Sequence, residues 1–191
     1  INYSFIGYDK DNFYDYLKQL FKLEAVGCKD WLTNKVDRCV GGKVAKQQCV
    51  GPLQLPLNNC GVMALDFNSS NGVATSIGHS PVSGLIDPVA GSRNSIAEAL
   101  SNIIWAPLTK GIKGISLSAN WMWPCNNKGE DSRLYDAVES ISNFAIELGI
   151  NVPTGKDSLS MKQKYSDKEV LAPGTVIISA AAECNNINKV V

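Results

Sequence analysis

The sequence predicts an α/β or α+β domain in which helices cover one sheet. Three features carry that expectation: an early pair of strand-like runs joined by a tight turn, a later alternation of strands with amphipathic helices, and a near-continuous apolar run close to the end of the chain. Taken in order, Asp11 to Glu24 predicts a helix, because Phe13, Leu17, Leu20 and Phe21 recur at helical spacing and Gly27 lies just past the end. Val36 to Val44 reads as a strand broken at Gly41-Gly42, and Gly51, Pro52 and Pro56 keep the next segment extended but irregular. Gly61 to Phe67 and Val73 to Gly78 form the predicted hairpin, turning through Asn68 to Gly72 with Asn71-Gly72 as the strongest signal. The stretch from Asp87 to Trp105 becomes helical at Pro88 and gathers Ile96, Ala99, Leu100, Ile103 and Ile104 on one face, until Pro107 ends it. Gly114 to Ala119 alternates Ile115, Leu117 and Ala119 against Ser116 and Ser118, as a half-buried strand does. Asp131 is placed to cap a helix whose stripe is Leu134, Val138, Ile141, Ala145 and Leu148, with Gly149 ending it. Gly174 to Ala182 is apolar almost throughout, which predicts a strand covered on both faces.

Composition narrows the function classes. With 191 residues, 45% hydrophobic and 19% charged, the chain can bury a sizeable core and is not a disordered sequence. The 18 basic and 18 acidic side chains cancel, so counterion-driven binding to nucleic acid or an anionic membrane is excluded as the main function. Small phosphorylated ligands need only a local site. The cysteines (Cys28, Cys39, Cys49, Cys60, Cys125 and Cys184) show no C-x-x-C spacing, and His79 is the sole histidine, which excludes a finger-type zinc site. Their low density predicts a reducing, cytoplasmic setting. No run of about 18 apolar residues predicts a membrane span. The chain opens on Ile1 rather than Met and is expected to be a piece of a longer polypeptide.

Few residues could carry chemistry. Glu98 and Asn102, four apart on the predicted helix, lie together beside its apolar stripe; two oxygen donors there suit Mg²⁺, or form an ordinary polar flank. Gly155-Lys156-Asp157-Ser158 invites comparison with a Walker A loop, but one residue too many separates Gly149 from Gly155, and Asp157 stands where Ser or Thr should meet the metal. The hydroxyls of Ser158 and Ser160 beside Lys156 still suit a phosphate, and suit a surface turn equally well. Asp37-Arg38 followed by Gly41-Gly42-Lys43 reads as an anion-binding edge or a solvated strand end. His79 has no Ser/Asp partner in sequence and reads as structural, as do Trp121 and Trp123. No cysteine has a neighbouring activating cation.

Five strings then carry a resemblance: Asp37 to Pro56 (DRCVGGKVAKQQCVGPLQLP), Ala97 to Ile103 (AEALSNI), Leu117 to Met122 (LSANWM), Gly129 to Val138 (GEDSRLYDAV) and Pro153 to Met161 (PTGKDSLSM). Together they resemble the large single-chain phosphoribosylformylglycinamidine synthase family, from about Val36 to about Ala182. The resemblance implies an ATP- and glutamine-dependent ligase of purine biosynthesis, which converts formylglycinamide ribonucleotide to the amidine. It acts by phosphorylating an amide oxygen that ammonia then displaces. The implied fold is the N-terminal domain of an aminoimidazole ribonucleotide (AIR) synthetase, here the N-terminal half of the second repeat. Its mixed sheet is covered by helices on one side and pairs with a twin domain into a barrel. Residues 1–35 are expected to be a helical lead-in and 36–191 the domain itself. The implied partners are the twin and a glutaminase domain in the same chain, with no nucleic acid and no membrane. Cut from its twin, the piece is expected to self-associate and to be inactive.

The resemblance also implies site roles. Mg²⁺ on a bound ATP or ADP falls to Glu98, Asn102 and Asn59, and at Asn59 the family more usually has Asp. Asn58 falls where the family touches nucleotide, Lys156 and Ser158 are candidate nucleotide contacts, and Asp37 and Arg38 match a string facing the substrate. Cys39 and Gly41 depart from the usual Ser and Thr there. The alternatives are a non-catalytic half that holds nucleotide, or another ATP-dependent enzyme of the AIR-synthetase superfamily.

Overall fold

The computed structural model describes residues 7–28, 42–46 and 59–190. Helix α1 (Phe13–Lys22) follows a short 3-10 turn at Lys10–Asn12, whose N-cap Asp9 accepts from the Asp11 N–H. Its apolar side chains include Phe13, Leu20 and Phe21 and none is buried, so α1 contributes nothing to the described core. The predicted strand from Val36 lies largely outside the described residues; its last residue, Val44, makes an antiparallel bridge to Met63.

Strands β1 (Cys60–Ala64) and β2 (Gly72–His79) form the predicted hairpin, with Cys60 opposite Ser76 and Ala64 opposite Gly72. β1 stops three residues before the predicted Phe67, because Asp66 turns the chain: its carboxylate accepts the N–H groups of Asn68 and Ser69, both at 2.7 Å. A short helix α2 (Pro81–Ile86) follows, then α3 (Pro88–Ile103), β3 (Ser116–Met122), α4 (Glu130–Leu148), β4 (Asn151–Ser158), a small hairpin of β5 (Lys162–Lys164) and β6 (Glu169–Leu171), and β7 (Thr175–Cys184). The main sheet has the order β1-β2-β7-β3-β4. Only β3 and β4 run parallel, and α4 is the crossover between them, as a parallel pair requires.

α3 packs directly on β2 and β7, and α4 packs on α3. Ile96, Ala99 and Ile103 of α3 are wholly buried against Ala74, Leu117, Ile178 and Ala180 of the sheet. The approach is close because Gly78 has no side chain: a Cβ there would lie 2.1 Å from the Ser95 carbonyl oxygen. Asp87 caps α3, accepting from Val89 and Ala90, and Pro88 occupies the first helical position, where a missing N–H costs nothing.

Several expectations need correction. Ile104 is 46% exposed, since α3 turns it past the buried stripe. α4 starts at Glu130 behind a left-handed Gly129 rather than behind an Asp131 cap, and its buried face is Ala137, Ser140, Ile141 and Ala145, leaving Val138 exposed. Gly149 does end it, in the left-handed conformation at φ 67°. β3 begins at Ser116 and runs on to Met122. The largest correction concerns β7, which is not covered on both faces: Val176, Ile178, Ala180, Ala182 and Cys184 are buried under the helices, whereas Ser179, Ala181 and Glu183 are exposed. Small apolar side chains at the outward positions make a one-sided strand look like a two-sided one. Helix α2 and strands β5 and β6 have no counterpart in the sequence reading, and β4 extends the short segment expected before Gly155 through the Gly-Lys-Asp-Ser run that reads as a turn.

Candidate functional site

The candidate site grows from a mismatch in strand length. β1 pairs with β2 only as far as Ser76, so among the described residues the backbone groups of Ile77 and His79 have no strand partner on that edge. Two α3 side chains supply what β1 does not. Glu98 Oε2 accepts from the His79 N–H at 2.6 Å, and Asn102 Nδ2 donates to the Ile77 carbonyl at 3.0 Å. Their four-residue spacing places both on one flank of α3, level with alternate residues of β2. Each retains an oxygen outside these bonds: Oε1 of Glu98 and Oδ1 of Asn102.

Both residues border a cleft of about 840 Å³ on the sheet face that no described helix covers. Asn59, Cys60, Thr75, His79 and Ser179 border it too. The predicted trio of Glu98, Asn102 and Asn59 is thus brought to one cleft. No cluster of three or more His, Cys, Asp and Glu side chains among the described residues is placed to hold a metal. One carboxylate with two amide oxygens is nevertheless a donor set suited to Mg²⁺, which keeps waters and takes phosphate oxygens. The Cys60 thiol beside them is buried, and burial together with Cys184 pushes it up from the ordinary thiol value, so it is no nucleophile here.

Asp37, Arg38 and Asn58 lie outside the described residues. Lys156 and Ser158 are described and correct the expectation of a turn: they belong to β4, where Gly155 lets the strand press so close that a Cβ would lie 2.8 Å from the Ala119 carbonyl oxygen. Lys156 Nζ donates to Ser158 Oγ at 2.8 Å. Neither residue borders the Glu98 cleft. They share its sheet face, however. His79 stands opposite Ile177, Ile177 opposite Asn120, and Asn120 opposite Lys156, a single cross-strand row. Three strand spacings put His79 and Lys156 about 14 Å apart along it. One strand spacing from Lys156, the Asn120 Oδ1 is buried and accepts no hydrogen bond. The sequence reading set His79 aside as structural; the signal it held was position, since His79 ends the strand against which Glu98 is placed.

A five-stranded mixed sheet with helices on one face and an oxygen-donor cleft at its edge defines a PurM N-terminal-like domain. The chain belongs to the family described as the FGAR-AT PurM_N-like domain, whose model matches residues 28–183. It is 45% identical over 175 residues to the Homo sapiens phosphoribosylformylglycinamidine synthase, covering 92% of this chain and 13% of that protein. It is 44% identical over 171 residues to the Drosophila melanogaster protein of the same name, covering 90% and 13%. An Arabidopsis thaliana relative described as probable and chloroplastic/mitochondrial is 45% identical over 177 residues, covering 93% and 12%. The chain therefore spans about an eighth of the length of these relatives. Among solved structures, Thermotoga maritima PurLQS superposes with a TM-score of 0.58 at 18% identity, covering 82% of this chain and 24% of that one. Thermotoga maritima PurL complexed with ATP gives 0.53 at 19%, covering 70% and 21%. At such identity these two matches establish the fold alone.

Proposed function

We propose that this chain is part of a phosphoribosylformylglycinamidine synthase, the ATP- and glutamine-dependent ligase that converts formylglycinamide ribonucleotide to formylglycinamidine ribonucleotide. The relatives at about 45% identity support the reading. The observation in the fold that carries it is the meeting of Glu98, Asn102 and Asn59 at one cleft. In this proposal residues 36–191 form the N-terminal half of the second AIR-synthetase-like repeat, residues 1–35 lead into it, and the protein works in the cytoplasm. The uncovered sheet face is the surface on which a twin domain closes the barrel, and without that cover copies of the chain self-associate. A glutaminase domain completes the parent.

Within that frame ATP or ADP occupies the cleft. Glu98, Asn102 and Asn59 would hold Mg²⁺, which when bound neutralises phosphate charge. Glu98 supplies the one formal negative charge of the trio, while the amides add neutral oxygen donors. The bonds to His79 and Ile77 fix both helix side chains, so little rotamer freedom is lost when a ligand arrives. Lys156 and Ser158 meet phosphate oxygens from the far end of the shared row, and Asn58 completes the nucleotide contacts. Asp37 and Arg38 face the substrate.

A second reading keeps the same fold: a half that holds nucleotide without taking part in the chemistry. It is favoured by Asn59, a neutral donor where a carboxylate would bind the metal more tightly. Arg38→Ala in the whole enzyme separates the two. Turnover lowered by orders of magnitude supports a catalytic role. Normal turnover with reduced stability supports the storage role. Calorimetric titration with Mg·ADP tests the cleft itself, and absence of binding in the whole enzyme would sink both readings.

A further inference from the structure

A second cleft, of about 520 Å³, lies at the opposite end of the sheet, where β2 begins and β3 and β4 start. Thr109, Lys110, Lys113, Ser116, Asn151 and Glu183 are among its lining residues, and the two clefts share only Ala181. From His79 to Val73 along β2 is about 20 Å, so the charged groups of this cleft are remote from Glu98.

We propose that this second cleft binds a phosphate group. Lys110 is the N-cap of a 3-10 turn (Gly111–Gly114) and Lys113 lies within it, so one short turn brings both lysines to the cleft. Both lysines line the cleft, and neither makes a hydrogen bond or an ion pair among the described residues. The Lys110 stem lies across Gly114, where a Cβ would meet Lys110 Cβ at 2.9 Å, so the glycine holds open the path of the lysine. The other wall comes from a register shift between β3 and β4: Ser116 pairs with Asn151, but Ser118 pairs with Thr154, so β4 carries an extra residue there. Ser116 Oγ donates to Asn151 Oδ1 at 2.8 Å, which orients the amide and leaves its Nδ2 as an unused donor. The Thr109 hydroxyl adds a further donor.

Two point charges and two neutral donors suit a tetrahedral dianion better than a single carboxylate. A bound phosphate also offsets the two like charges that line the cleft. Glu183 is the one carboxylate lining the cleft, and no ion pair joins it to either lysine, so it opposes the anion instead of neutralising its site.

The test is calorimetry on the intact protein at low ionic strength, with inorganic phosphate and ribose 5-phosphate as separate probes. The Lys110→Gln/Lys113→Gln double variant should weaken binding at least tenfold while the melting temperature stays unchanged, because both side chains are exposed. Glu183→Gln should tighten binding several-fold. Equal affinity for the two probes marks the phosphate group alone as the ligand; tenfold tighter binding of ribose 5-phosphate marks a phosphate monoester. Affinity indifferent to the lysine pair, no measurable binding of either probe, or weaker binding in Glu183→Gln overturns the proposal.

Discussion

The backbone N–H of His79 donates to Glu98 Oε2 at 2.6 Å, so a helix side chain caps β2 beyond the point where its described pairing with β1 ends at Ser76. The bond is a structural edge cap and a candidate ligand position at once, and two substitutions part these roles. Glu98→Gln keeps an oxygen acceptor for His79 but removes the charge. It should leave stability within about 0.5 kcal/mol of the parent while lowering Mg·ADP affinity about tenfold or more. Glu98→Ala removes both and should also destabilise by about 1–3 kcal/mol. Calorimetry and urea unfolding read the two effects; a Glu98→Gln variant with unaltered nucleotide affinity counts against the metal role.

Gly78 is the contact point between β2 and α3. A methyl group there would lie 2.1 Å from Ser95 O and 2.4 Å from Ala99 N, both backbone atoms that cannot rotate away. Gly78→Ala should therefore cost about 3 kcal/mol through overpacking. It should also lift α3 off the sheet and lengthen the Glu98–His79 bond. Denaturant midpoints check the first expectation and protection of the His79 amide from exchange checks the second.

Arg133 ties α4 to α2. Its Nη2 donates to the carbonyl oxygens of Gly84 and Leu85, at 2.6 and 3.1 Å, and Glu130 sits 3.4 Å from its Nε. Arg133→Ala leaves those carbonyls short of a donor and should destabilise by about 2 kcal/mol, with Arg133→Lys recovering part of the loss. Thermal melts of the two variants compared with the parent provide the measurement.

Asp66 governs the hairpin loop through pH. The N–H groups of Asn68 and Ser69, then the Ser69 hydroxyl, hold its carboxyl below the usual carboxylate range. A depressed folded value means that the stabilisation is fully present above the unfolded pKa of about 3.9 and is lost as pH falls through the folded value. The amides of Asn68 and Ser69 should thus lose exchange protection only in that acid window. In Asp66→Asn the acid-dependent step should disappear.

The elements visible in the sequence were those whose pattern is local. The Asp87-Pro88 helix start and the Gly149 stop each depend on residues within one turn of each other, and each stands where expected, whereas the Asn71-Gly72 signal is displaced: Gly72 already opens β2 opposite Ala64, and the reversal is made upstream at Asp66. Most of β4 was hidden because its exposed strand carries Pro153 and a Gly-Lys-Asp-Ser run that reads as loop; pairing with β3 overrides propensity there. The one-sided burial of β7 depends on which neighbours lie above it, which alternation among small apolar residues cannot reveal. At the site, the spacing of Glu98 and Asn102 was legible, and their cleft with Asn59 follows from it once α3 lies along β2. The distance of Lys156 from that cleft was not, since strand order is a tertiary fact.

That strand order bears on how the molecule comes into being at the ribosome. β7 sits between β2 and β3, yet it is the last strand of the sheet to be synthesised. A nascent chain that has emerged only as far as Leu171 holds a hairpin on one side and a βαβ unit on the other, joined by the packing of α4 on α3 but by no strand within the sheet. Both inner edges then present unpaired backbone groups beside apolar residues, which is when a growing polypeptide most needs a chaperone's shelter. Pairing of Gly72 with Cys184 ends that wait by joining residues far apart in the chain, a late and slow closure.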